Sequence, residues 1–188
     1  MTHIDVQSAL AESLSMPYHD LVTRRTGAAV RTFIEHQLSG LADGSVAFLD
    51  FSRIGVLDRS CADEFVAKLM LPLTVEHPSR DGYVVLHGLS DGHLDSIEQV
   101  LHAHGLALVV QFPDGIAHLV GAVTEVERRL WQIVMVSGRV AVDGLAVDGL
   151  AAQTGLAIDE ALALLDSLAR RRLVRREQDC YCPLCTAA

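Results

Sequence analysis

The sequence predicts an α/β protein, with helices packed on one mixed sheet, followed by a small α+β unit. Short, nearly continuous apolar runs at 46–51, 83–86 and 106–112 are typical of strands that are covered on both faces. Segments with apolar residues at helical spacing separate these runs. After the third run, short helices with a basic end replace the alternation. We therefore expect two domains, 1–116 and 117–188.

The helices of the first domain have recognisable starts or stops. Apolar residues at helical spacing predict a helix at 25–41, which ends near Gly40. A second amphipathic stripe predicts a helix at 62–73 that ends near two prolines. Ser90 is a suitable cap for the third helix, and Gly105 ends it.

The joint between the domains leaves two readings open. A Pro-Asp-Gly turn at 113–115 precedes the apolar run 116–120. That run either returns antiparallel to the preceding strand or leads into the second domain. The helix predicted at 123–136 then serves as a hinge and as the expected homodimer element.

Composition excludes some functional classes. Half of the 188 residues are hydrophobic, so a substantial core is expected. The formal charge of −9 argues against a general nucleic-acid-binding surface, because phosphate contacts require clustered Lys and Arg. The chain shows neither an apolar run of about 20 residues nor an N-terminal signal pattern, so we expect a cytoplasmic protein without membrane association.

One segment carries a family resemblance. The run Leu49-Asp50-Phe51-Ser52-Arg53-Ile54, followed by Val56-Leu57-Asp58-Arg59-Ser60, resembles the signature of STAS-like domains, relatives of the bacterial anti-sigma-factor antagonists. Those proteins regulate by binding partners and not by catalysis. The resemblance implies a STAS-like first domain that binds a protein partner, by analogy an anti-sigma factor or a serine-kinase-like protein. The binding residues would be Asp58, Arg59, Ser60 and Asp63.

Ser60 has two readings, which are compatible with each other. In the antagonists, the second serine of an Asp-Ser-Ser-Gly turn is phosphorylated by a partner kinase; here the turn reads Asp58-Arg59-Ser60-Cys61. A phosphate at a helix start faces exposed backbone N–H groups but repels an acidic partner, so it could act as a switch. Ser60 with Asp63 three residues later is also an ordinary helix-capping pair. Cys61 is either a reactive thiol at the helix start or a small buried residue.

The second domain resembles a winged helix-turn-helix. Residues 150–176 read as a helix, a Thr-Gly turn, a second helix and the start of a strand. In that family, the helix that begins near Ile158 would be the recognition helix, and 173–176 with 180–183 would form the wing hairpin. The resemblance implies a link to transcription control, with DNA as a possible partner.

Charges near the predicted wing bear on DNA binding in opposite ways. The only basic cluster is a set of five possible DNA-binding residues, namely Arg170, Arg171, Arg172, Arg175 and Arg176. The predicted recognition helix instead offers Asp159, Glu160 and Asp166, which would repel the phosphate backbone. Docking of a partner or dimerisation therefore remains an alternative role for this domain.

The terminal cysteines allow three readings. Cys180, Cys182 and Cys185 provide a Cys-x-Cys and a Cys-x-x-Cys pair, and the latter spacing can chelate zinc. A closed zinc site needs four ligands, so packing within the wing, with Tyr181 pointing outward, and redox sensing stay open. No cofactor is otherwise expected.

The sequence as a whole predicts a non-enzymatic bacterial regulator. Asp50, Ser52, Arg53 and Asp58 follow a strand, but no nucleophile–base pair or glycine-rich phosphate loop accompanies them. The alternatives are a thiol- or metal-based sensor and a protein-interaction scaffold that does not bind DNA.

Overall fold

The computed structural model describes residues 2–14, 19–74, 82–142 and 145–185, without the side chains of 145–148 and 151. Its main feature is a five-stranded sheet whose strands lie in sequence order. The strands are β1 (Thr2–Asp5), β2 (Ser45–Asp50), β3 (Gly82–His87), β4 (Ala107–Gln111) and β5 (Ala117–Gly121). The first four are parallel and β5 runs antiparallel to β4. The prediction of an α/β protein with a mixed sheet is therefore confirmed.

Helices from the first part of the chain cover one face of this sheet. They are α1 (Val6–Leu14), α2 (Arg24–Ser39), α3 (Arg59–Ala62) with α4 (Lys68–Met70), and α5 (Asp91–His104). A π-helical turn, Asp63–Ala67, joins α3 to α4, and a 3₁₀ turn, Leu71–Leu73, follows. Alternate strand residues, such as Leu49, Leu86 and Val110, meet these helices in a first core. β1 and α1 were not predicted from the sequence.

Residues 125–185 form a C-terminal unit with its own small sheet. Its helices are α6 (Glu125–Ser137), α7 (Leu145–Thr154) and α8 (Ile158–Arg170). Its strands are β6 (Val140–Ala141), β7 (Arg175–Glu177) and β8 (Cys180–Cys182), which pair antiparallel in the order β6-β8-β7. Gly155, with a φ of 71°, turns the chain between α7 and α8. The order of helix, turn, helix and hairpin follows the predicted one, whereas the winged-helix assignment stays a prediction.

The C-terminal unit packs on the second face of the five-stranded sheet. The strand residues that point away from the first core include Phe48, Tyr83 and Val109, and they join Leu130 and Trp131 of α6 in a second core. The indole N–H of Trp131 donates to the carbonyl oxygen of Leu173 at 3.0 Å and so holds the start of the hairpin against α6. Apolar residues on both faces of each central strand explain the continuous apolar runs in the sequence.

The structure shows what the apolar run 116–120 does at the joint between the two predicted domains. β5 begins at Ala117, where we placed the boundary, and it returns antiparallel along β4. The sheet therefore extends to Gly121. α6 lies in the segment expected as the dimer element, and its apolar side is buried in the second core. The homodimer stays a prediction. Among the described residues, none of the helices combines the length and the apolar character that crossing a bilayer requires.

Candidate functional site

The 58–63 turn, which contains the four predicted partner-binding residues, starts the helical run α3. Asp58 is the N-cap: its carboxylate accepts from the backbone N–H of Cys61 at 2.7 Å and from the hydroxyl of Ser60 at 2.9 Å. The prediction that Ser60 caps the helix was wrong. Asp58 stands one residue before the helix, in extended conformation, and therefore reaches the free N–H groups better than Ser60, which is already helical.

A cleft of about 320 Å³ lies beside this turn. Its walls come from three helical segments and contain Arg24, Arg59, Ser60, Asp63, Val100 and Ala103. Arg59 is exposed and Ser60 is half-buried. The turn thus presents a cation and a hydroxyl together at the surface.

Asp63 ties the turn to the helices on either side. Its carboxylate lies 2.7 Å from Nε2 of His104 on α5 and 2.7 Å from the guanidinium of Arg24 on α2. The hydrogen bond from His104, and then the Arg24 guanidinium, lower the pKa of Asp63 although partial burial opposes them. Neither Arg24 nor His104 was predicted from the sequence, because the pairing depends on helices that are far apart along the chain.

The π-helical turn that follows contains a second ionic group. Glu64, only 9% exposed, accepts from Nζ of Lys68 at 2.5 Å and from Arg31 of α2 at 3.2 Å. The hydrogen bond from Lys68, and then the charges of Lys68 and Arg31, lower the pKa of Glu64 against its partial burial. These contacts fix the run 59–70 against α2 at an unusual helical geometry that is frequent at functional sites.

Cys61 is a packing residue and not a surface thiol. Its side chain is fully buried. Burial, and then the charge of Asp58, raise the pKa of the thiol to about 12. Gly27 of α2 allows the close approach, since a Cβ at that position would lie 2.8 Å from the carbonyl oxygen of Cys61. Of the two readings of Cys61, the structure supports the small buried residue.

Two arginines of the basic cluster fasten the C-terminal unit to the sheet. Arg171 forms an ion pair with Glu127 at 2.8 Å and donates to the carbonyl oxygen of Ala122. Arg172 donates to the carbonyl oxygen of Leu73 at 3.1 Å, and its guanidinium lies 5.3 Å from the ring centroid of Tyr83. Both guanidinium groups therefore contact other parts of the same chain.

The remaining arginines lie at the hairpin and at the end of α8. Arg175 is paired with Glu177 at 2.8 Å, and Arg176 with Asp166 at 2.7 Å. Arg170 is exposed. Four of the five predicted DNA-binding residues thus have intramolecular partners, which reduces the charge they offer to a phosphate backbone.

Tyr181 lies on the inner side of the hairpin. The prediction that it points outward was wrong, since it is 1% exposed, packs in the second core and donates its hydroxyl to Asp166 at 2.7 Å. Burial, and then the hydrogen bond to Asp166, raise the pKa of Tyr181 to about 12. Tyr181 alternates with Cys180 and Cys182 along β8, and the face on which it lies is the one that packs on the second core.

Cys180 and Cys182 share the opposite face of the hairpin with Glu177. Their Sγ atoms are 3.9 Å apart, and Sγ of Cys182 is 3.8 Å from Oε2 of Glu177. The three potential ligand atoms lie within 4.8 Å of one another. Burial, and then the hydrogen bond with Cys180, raise the pKa of Cys182 to about 11.

Cys185 does not belong to this cluster. It is 3% exposed and packs in the second core, and burial raises the pKa of its thiol. The predicted trio is therefore divided, and Glu177 takes the third place. The sequence signal for Glu177 was its position three residues before Cys180, across a two-residue turn that makes the two cross-strand neighbours.

Comparisons with protein-family models, with curated proteins and with solved structures find no match to this chain.

Proposed function

We infer that the protein is a non-enzymatic regulator that binds a protein partner through the 58–63 turn and the adjoining cleft. The observation that carries this proposal is the presence of exposed Arg59 and half-buried Ser60 in the wall of one cleft, on a turn that Asp58 and Asp63 tie to the rest of the chain. Asp58, Asp63 and Glu64 direct their carboxylates to groups of the chain, so they position the turn and leave Arg59 and Ser60 to contact a partner.

The surroundings of Ser60 support regulation by charge. Its hydroxyl donates to Asp58, and Arg24 and Arg59 line the same cleft. A phosphate on Ser60 would lose that hydrogen bond, repel Asp58 and attract the two guanidinium groups. It would therefore change the surface where the partner binds. The resemblance to anti-sigma-factor antagonists favours a kinase-like partner for this chemistry.

The C-terminal unit has a structural role in this proposal. It covers the second face of the sheet, and four of its clustered arginines are engaged within the chain. In this proposal it completes the fold, and output to transcription passes through the bound partner.

The proposal is tested by comparing two positions on the full chain. A photo-crosslinking amino acid at position 59 should capture one protein in the host cell, whereas the same group at position 170, another exposed arginine, should not. That protein, once purified, should bind the wild type and lose at least about tenfold in affinity to Arg59→Glu and Ser60→Glu, equivalent to about 1.4 kcal/mol.

Matched variants separate a local effect from a general one. Ser52→Glu introduces the same charge at an exposed serine outside the cleft, and Arg170→Glu reverses an exposed arginine on α8. Both should bind like the wild type. Equal capture at positions 59 and 170, or equal loss in all four variants, would overturn the proposal.

A further inference from the structure

We propose that Glu177, Cys180 and Cys182 form a binding site for a thiophilic divalent cation of the Zn²⁺ class on the β7–β8 hairpin. The site is separate from the proposed partner surface, with which it shares no residue. Two thiolates and one carboxylate are ligands that zinc accepts, and three protein ligands leave a fourth position for water or an external group.

The spacing of the ligand atoms fits tetrahedral coordination. Zinc–sulfur bonds of about 2.3 Å at the tetrahedral angle place two sulfur atoms about 3.8 Å apart. The Sγ atoms of Cys180 and Cys182 are 3.9 Å apart. With a zinc–oxygen bond of about 2.1 Å, the sulfur-to-oxygen separation is about 3.6 Å. The corresponding distance from Cys182 Sγ to Glu177 Oε2 is 3.8 Å.

The hairpin explains how three ligands come to one face. Glu177 and Cys180 are cross-strand partners, and Cys182 lies two residues further along β8. Side chains at such positions point to the same side of a sheet. A disulfide is the poorer use of the two cysteines, because residues two apart on a strand are separated by about 6.6 Å, near the upper limit for a disulfide.

Neighbouring arginines hold the ligands in place. Oε1 of Glu177 is paired with Arg175 at 2.8 Å, so Oε2 is the oxygen that faces the thiols. Nε of Arg139 donates to Sγ of Cys180 at 3.0 Å, which fixes the position of that sulfur atom. Such second contacts fix the orientation of metal ligands.

The charges balance when a cation binds. Binding of one Zn²⁺ replaces the thiol protons of Cys180 and Cys182, which pass to solvent. Two protons leave as two positive charges arrive, so the net charge of the group with Arg139 and Arg175 stays the same. A cleft of about 450 Å³ has Arg175 and Cys182 in its wall, so it reaches one of the three ligands.

The test is a titration of the full chain with Co²⁺ in reducing buffer, followed by competition with Zn²⁺. One equivalent of Co²⁺ should produce the near-ultraviolet thiolate-to-cobalt absorption and the visible bands of tetrahedral Co²⁺, and Zn²⁺ should abolish them. Cys180→Ser and Cys182→Ser should each lose these bands. Glu177→Gln should weaken binding about tenfold or more, by analogy with the loss on removing groups that support a metal ligand.

The matched control is Cys185→Ser, which changes a buried cysteine of the same unit outside the cluster. It should bind Co²⁺ like the wild type. If a cysteine variant loses its far-ultraviolet circular dichroism, Glu177→Gln decides the question, because that side chain is 43% exposed and its change leaves the core intact. Absence of the bands in folded wild type, their persistence in Cys180→Ser, or their loss in Cys185→Ser would overturn the proposal.

Discussion

Replacing Phe48 by alanine tests whether the sheet and the C-terminal unit unfold together. Phe48 is 3% exposed, stacks on the ring of His3 at a centroid distance of 4.9 Å and belongs to the second core. Removal of a buried phenylalanine side chain costs about 3–5 kcal/mol, from lost transfer free energy and the cavity that remains. At a urea m-value of about 2.5 kcal/mol/M, this lowers the midpoint by about 1.2–2 M.

The chain contains a reporter for this test. Trp131 is the only tryptophan, and it lies in the second core on α6. Its fluorescence and the far-ultraviolet circular dichroism should shift together in Phe48→Ala, because both depend on one core shared by the sheet and the unit. Val136→Ala, on the same helix but 85% exposed, should change the free energy of unfolding by less than about 0.5 kcal/mol.

A separation of the two signals would refute the reasoning. If Phe48→Ala shifts the circular dichroism while the Trp131 fluorescence keeps its wild-type midpoint, the C-terminal unit folds on its own core. The second core would then be a contact between two independent domains.

Three further predictions concern paired or buried residues. Gly27→Ala should destabilise the folded protein, since overlap with Cys61 costs about 1–3 kcal/mol while the better helix propensity of alanine returns about 1 kcal/mol. Gly149→Ala on α7, with open space around it, should raise the free energy of unfolding by about 0.5–1 kcal/mol. Urea titrations measure both changes. Glu127→Gln should cost about 1.5–3 kcal/mol at pH 7, and the exposed Glu125→Gln on the same turn much less. Burial alone would raise the pKa of Glu127, but Thr124 and Arg171 lower it, so the stability from the carboxylate is present above pH 4.5 and the cost of Glu127→Gln should diminish as pH falls in acid titrations. Because folding raises the pKa of Cys61 from 9.0 to about 12, the contribution of its neutral thiol to stability is full below pH 9 and is lost as pH rises toward 12. At pH 8, iodoacetamide should label Cys61 only after unfolding, as measured by mass spectrometry. Labelling of the native protein would contradict the burial of this thiol.

The sequence predicted the elements better than their contacts. The central strands and α5 were accessible because continuous apolar runs and the Ser90 cap are local signals. Cover on both faces was predicted, but the sequence did not show that the C-terminal unit provides it on the face of Phe48 and Tyr83. Periodicity shows that a face is apolar but does not say which distant segment lies on it.

At the candidate sites, the residue types were predicted and their partners were not. The 58–63 turn was located, but its cap is Asp58 and not Ser60. The helix already begins at Arg59, so only Asp58 has the extended backbone from which a side chain bonds to the first N–H groups. Cys180 and Cys182 were located as well, but their neighbour is Glu177 and not Cys185, because the hairpin turn sets the cross-strand register. Both corrections depend on backbone conformation, namely the start of the helix at Arg59 and the two-residue turn of the hairpin.

The second core also affects how the chain emerges from the ribosome. The strand face that contains Phe48 and Tyr83 is complete once Leu119 has been synthesised, but its cover extends to Cys185, 66 residues later. At about 5–20 residues per second, the cover of this apolar face is completed about 3–13 s after Leu119 is added. During that interval part of the apolar face is exposed on the nascent chain, and codons that slow synthesis between residues 120 and 185 should lower the yield of folded protein.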